Sequence, residues 1–151
     1  MNPPSKIKMM QTLHLAFCFS IFMFTALTLF LLKDSIHFNL LLDKDPLFPL
    51  LPLLGLAFLA AGTFMFKKVI QGVENIEDTE IKIARYQTAF IICSAFTEGA
   101  ALMNTVAFLV SANAAFLVVT VLAFSILLIR RPTKQGVIDV INLQYPDTEK
   151  L

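Results

Sequence analysis

From Met10 to Leu32 the chain runs without a single Asp, Glu, Lys or Arg. A helix of that composition has no polar face to turn to water. It does have the length to cross a bilayer, because about 20 apolar residues rising about 1.5 Å each span a hydrocarbon core of about 30 Å. Three further segments read the same way: residues 47–66, 86–110 and 114–129, the last one short and calling for little tilt. Four such segments in 151 residues leave no material for a water-soluble core. Hydrophobic residues make up 57% and charged residues 15%, against about 45–50% and about 25% in soluble domains. The mean hydropathy of +0.75 excludes a disordered chain. The sequence therefore predicts an all-α fold, an integral membrane four-helix bundle. Residues 1–132 form the four-span domain and residues 133–151 a short cytoplasmic tail.

Lys6 and Lys8 before the first span give it the look of a signal peptide. Its apolar run is too long and no A-x-A site follows, so it is expected to be a retained helix. Loop charges orient the bundle. Ten Lys and Arg fall in the N-terminal tail, the middle loop and the C-terminal tail, and only Lys33 and Lys44 fall on the other side. By the positive-inside rule both termini and the middle loop are cytoplasmic, in a multi-pass inner-membrane protein. Asp43 to Pro46 read as a polar turn, and Pro49 and Pro52 sit in the first turns of span two. Span three is expected to begin outside the bilayer at about Thr79. Ser111, Ala112 and Asn113 make a tight turn into span four. Thr133 can cap a short helix whose apolar side (Val137, Ile138, Ile141) lies on the membrane surface or docks on the middle loop, the alternative being a partly ordered tail. QGVENI (71–76) and QGVIDVI (135–141) each follow a basic span end, an echo that the spans themselves do not share.

One residue breaks the apolar pattern inside the spans. Glu98 lies about 12 residues from either end of span three, near mid-bilayer, where an ionisable group is costly and raises a functional hypothesis. Ser94, Ala101 and Thr105 share its helical face at steps of three and four, and Thr97 and Asn104 flank it. Gly99 and Ala101 keep the helix slim enough for another to approach, so Ser94, Gly99, Ala101 and Thr105 are the expected packing residues. On span one, His14, Cys18, Ile21, Thr25 and Thr28 form a second stripe, with Thr25 closest in depth to Glu98. The candidate proton- or ion-binding set is Glu98, Thr97, Asn104 and Thr25. The alternative for Glu98 is a hydrogen bond to a neighbouring helix.

Other chemistry finds no footing. No Gly-rich phosphate loop, HExxH or GxSxG occurs. The two His, His14 and His37, fall on opposite sides of the membrane. Cys18 and Cys93 form no CxxC pair. No catalytic residue, no metal and no cofactor is expected, and a net charge of +1 gives no field for nucleic acid.

At YQTAF, TEGAALMNTVAFLVSAN and RRPTK the chain resembles a family of small four-helix bacterial membrane proteins of Bacteroidetes type. The matching residues are Tyr86, Ala89, Glu98 to Leu102, Asn113 and Arg131 to Lys134. The resemblance covers about residues 84–143. Met103 stands where that family favours Phe, and SAN replaces its TGN turn. The resemblance implies this topology and a bacterial inner membrane. AFTEGAALMNTVAFL is also similar, over about 15 residues, to the carboxylate-bearing helix of rotary ATP synthase c-subunits, where a membrane Glu carries H⁺ or Na⁺. Spans one, two and four lack the Gly repeat that packs those rings, so the likeness does not extend to ring assembly.

These features favour a non-enzymatic membrane protein, an accessory, assembly or oligomeric subunit. Its partners would be the lipid bilayer and other membrane proteins or copies of itself. A proton- or cation-coupled carrier or channel using Glu98 is the alternative, and an enzyme acting on lipids or quinones comes third.

Overall fold

The structure is a computed structural model, and it describes residues 5–40 and 47–151. The polar turn expected at Asp43 to Pro46 lies outside the described residues. The chain is 81% helical, with no strand among the described residues. The elements are α1 (Lys6–Leu32), α2 (Leu47–Ile70), α3 (Thr79–Ser111), α4 (Leu117–Ile129) and α5 (Lys134–Ile141). Three helices are long and apolar enough to cross a membrane, and the segment Ala114–Ile129 with α5 is a fourth if that bent pair counts as one span. The protein is thus a multi-pass, all-helical membrane protein.

The third helix is the hub. Its 33 residues give it a length of about 50 Å, well beyond the hydrocarbon core. Half of its apolar window is buried in the protein, against 17% for α1 and for the second spanning helix. It runs parallel to α1: Lys6 pairs with Glu80, Ser20 with Glu98, and Thr25 with Thr105. It runs antiparallel to α2, since Phe66 packs edge-on against Tyr86 while Gly55 faces Asn104. It is antiparallel to α4 as well, because Thr105 meets Thr120 and Arg130 reaches Cys93.

Local chemistry sets the helix ends. Asp78 caps α3 by accepting from the backbone N–H of Glu80 at 2.8 Å. At the other end Ala112 takes a left-handed φ of 55° and Asn113 begins a 3-10 turn, Ala114–Phe116, leading into α4. The α4 helix has only 13 residues, about 20 Å. The 3-10 turn adds about 6 Å, so the segment falls just short of a full hydrocarbon core. Pro132 stops it, and α5 leaves at 84° with Thr133 accepting from the Gly136 N–H.

Asn113 also fastens the chain that leaves α1. Its Oδ1 accepts from the N–H groups of Asn39 and Ala115, and its Nδ2 donates to Asn39 O at 2.8 Å. His37 makes a parallel bridge to Asn113 beside it. Asn113→Ala removes these side-chain hydrogen bonds, each contributing about 0.5–1.5 kcal/mol. Hydrogen exchange at residues 36–40 is expected to accelerate in the variant while exchange within α3 stays unchanged. Equal protection of 36–40 in both proteins would show that the side chain does not hold this segment.

The opposite end, where most Lys and Arg lie, is closed by a separate apolar cluster. Met10, Val73, Ile83, Val137 and Ile141 pack there with essentially no exposure. Helix α5 thus docks on the 3-10 turn Val73–Asn75 and the first turns of α3, while Val140 faces away from this cluster. QGVENI and QGVIDVI meet in this cluster but do not share a backbone: Gly72 has a left-handed φ of 75° in a turn, whereas Gly136 sits inside α5.

Candidate functional site

Glu98 is half-buried on the seam between α3 and α1. Its carboxyl meets the Ser20 hydroxyl, which also donates to Phe17 O at 3.0 Å. A serine hydroxyl has one hydrogen, so Ser20 can donate to only one of these two acceptors at a time.

The other members of the expected ion-binding set turn elsewhere. Helix geometry is the reason. At about 100° per residue, Thr97 and Asn104 both lie about 100–120° to one side of Glu98. They face α2, whereas Glu98 faces α1. Thr97 donates to Cys93 O and the Asn104 amide to Ala100 O, both at 2.9 Å, within their own helix. Asn104 Oδ1 is buried without a hydrogen-bond partner among the described residues. Thr25 meets Thr105 at 3.4 Å rather than Glu98. Thr105 lies 3.2 Å from Thr120, and both hydroxyls are within hydrogen-bond reach of Ala101 O, so with one hydrogen each they bond to that carbonyl or to each other. This small ladder ties α1, α3 and α4 together about two turns beyond Glu98.

The residues expected to pack are all in contact regions, with different roles. Ala101 is fully buried, as is Ala100 beside it. Ser94 and Thr105 are buried too. Gly99 is half-buried and looks at the Phe58 ring, and a Cβ there would sit 3.5 Å from it, in ordinary contact. The tightest approach comes from α2. Gly55, Leu59 and Gly62 form its buried stripe, at steps of four and three.

On the first span, His14, Cys18, Ile21 and Thr28 are buried. His14 Nε2 donates to Leu127 O at 2.8 Å, which fixes α1 against the end of α4.

A second site lies toward the basic end, in a cavity of about 370 Å³ between α2, α3, α4 and α5. Phe66, Phe90, Leu127 and Val140 supply apolar wall, and Tyr86, Ser94 and Thr97 supply hydroxyls. Lys67, Arg130 and Arg131 also line it. The Arg130 side chain crosses the cavity, donating to Cys93 Sγ on α3 and to Thr63 Oγ1 on α2 at 3.0 Å. It can do so because Cβ bonds in a helix tilt toward its N-terminus, so a long side chain at the last turn of α4 leans back along the helix. In the sequence Arg130 counts only among the basic residues of the C-terminal tail, and nothing marks Thr63 or Ser20. The available signal was the arginine immediately after a span too short to reach the surface by itself.

No family model, no curated protein and no solved structure matches this chain. Fold and sites therefore define its class, a small multi-pass helical membrane protein with two polar features. One is the Glu98–Ser20 contact, and the other is the arginine-crossed cavity.

Proposed function

We propose that the chain is a four-helix bundle of the bacterial inner membrane, of the small four-helix type it resembles, with both termini and the middle loop in the cytoplasm. We further propose that it works without catalysis, as an accessory or assembly subunit bound to other membrane proteins or to copies of itself. The distribution of ten basic residues against two supports the orientation. The way the intramembrane polar groups are used supports the function. Thr97, Asn104 and Thr105 each bond to a carbonyl of their own helix, and Glu98 bonds across to Ser20. Polar side chains taken up one by one, within α3 or across to α1, converge on no shared ion path, which favours an assembly role. The outer faces of α1, with Phe19, Phe22, Leu27 and Phe30 exposed, offer contact surface to lipid or to a neighbour.

Glu98→Gln is the discriminating variant. The amide can donate to Ser20 Oγ and leave the serine hydrogen on Phe17 O, so the α1–α3 contact persists. A membrane hydrogen bond of this kind contributes about 0.6 kcal/mol on average, so folding is expected to change little. In an interaction subunit the variant should keep the wild-type pattern of in-membrane crosslinks, and proteoliposomes of either protein should show no H⁺ or Na⁺ flux. A wild-type flux abolished by Glu98→Gln in a folded protein would instead establish the carrier reading, which the single mid-span carboxylate favours.

A further inference from the structure

The arginine-crossed cavity has the composition of a binding site. Its volume, about 370 Å³, lies in the range of small-molecule pockets. Its wall is apolar, and its cations come from two helices that meet there: Lys67 from α2, and Arg130 and Arg131 from the end of α4. Among the described residues the one ion pair is Lys6–Glu80, so none of these three cations has a carboxylate within 4.0 Å. Arg130 is partly committed. A guanidinium carries five N–H donors, and the bonds to Cys93 and Thr63 use two of them. Those two bonds hold the group in place and leave the remaining donors for a ligand.

Three cations beside aromatic and aliphatic walls call for a ligand that is anionic at one end and apolar at the other. A soluble anion would leave the half-buried Phe66 and the exposed Val140 uncovered. A neutral lipid would leave the cations unmatched. Basic pockets between membrane helices commonly take anionic headgroups, and Arg suits phosphate because its planar fork donates to two oxygens. We propose that this cavity binds an anionic phospholipid. Its phosphodiester lies against Arg130, Arg131 and Lys67, and the first carbons of its chains lie along Phe66 and Val140.

The protein carries its own reporter. It has no Trp and two Tyr; Tyr86 lines the cavity and is buried, while Tyr145 lies exposed after α5. In the full-length Tyr145→Phe protein, all tyrosine fluorescence comes from beside the site. The experiment places this protein in phosphatidylcholine nanodiscs and adds brominated phosphatidylglycerol or brominated phosphatidylcholine, whose chains quench at contact range. The anionic lipid is expected to quench at a mole fraction at least about tenfold lower, as three cations each contributing about fivefold would more than supply. Lys67→Gln and Arg131→Gln should each weaken that preference about fivefold. Lys68→Gln removes a charge at the same end that does not line this cavity, and it should leave the preference within about twofold. Millimolar inorganic phosphate should not relieve the quenching.

Equal quenching by the two lipids in the Tyr145→Phe protein overturns the proposal without reference to any charge variant, so a variant that fails to fold does not protect it. An effect of Lys68→Gln as large as that of Lys67→Gln would mean general surface attraction and no site. Relief of quenching by inorganic phosphate would mean a free-anion site, which also overturns the lipid assignment.

Discussion

Replacing Gly62 by alanine is expected to lower the stability of the folded protein by about 1–3 kcal/mol, the usual cost of overpacking a fitted contact. A Cβ at Gly62 would lie 2.8 Å from the Cβ of Phe96 and 3.3 Å from the carbonyl oxygen of Cys93. Both atoms belong to or adjoin the α3 backbone, so no side-chain rotation relieves the clash and the two helices must part. Gly55, two turns earlier, is equally confined: its Cβ would collide with the Asn104 amide and lie 2.8 Å from Val119 Cγ1. Gly99→Ala is the matched control, since its Cβ meets only the Phe58 ring at 3.5 Å. Alanine there also improves helix propensity, so that variant should be neutral or slightly stabilising. Reversible unfolding by sodium dodecyl sulfate in bicelles measures all three. Gly62→Ala as stable as Gly99→Ala would mean that α2 and α3 do not cross at this glycine.

Ile141→Asp should detach the short terminal helix while leaving the membrane helices in place. Ile141 is fully buried among Met10, Val73, Ile83 and Val137. Truncating such a residue costs about 2–5 kcal/mol, and an unpaired carboxylate adds to that. Helix α5 has eight residues, too few to persist alone in water. Once undocked it unfolds, and Lys134 becomes a protease site. Tryptic cleavage between Lys134 and Gln135 is expected to rise at least about thirtyfold, because cleavage tracks the population of the open form. Val140→Thr, on the exposed side of the same helix, should cleave at the wild-type rate. Equal rates for the two variants would show that α5 is not held by its buried face.

The two sites differ in how far the residues announce them. Glu98 is visible at once, because a carboxylate amid apolar residues has no other reading than cost or use. Its partner was not visible. Thr25 is closest by depth, yet Ser20 makes the contact, since the rotation of α1 about its axis decides which hydroxyl faces α3. Thr97 and Asn104, close to Glu98 in sequence, face α2 because each residue turns the helix by about 100°. The cavity was less legible still. Its cations sit in segments that read as ordinary flanking charge, and only the return of Arg130 to Thr63 and Cys93 reveals a shared cavity. Nothing in the apolar run singles out the α2 glycines, because their role depends on which atoms stand opposite.

By itself the sequence determined the helical, membrane-spanning class and several of the helix ends. Long apolar runs without charge have one stable environment, and backbone groups within lipid must bond within their own helix. Capping residues act locally, so Thr79 as the start of α3 and Thr133 before α5 could be read from a few neighbours. Tertiary structure alone decided which polar side chains meet, which glycines face a neighbouring helix closely, and which of the places open to α5 it takes. Those outcomes depend on the rotation and offset of whole helices. Hydrophobicity leaves both open in lipid, where any apolar face is satisfied, and close packing and a few cross-helix hydrogen bonds then fix them.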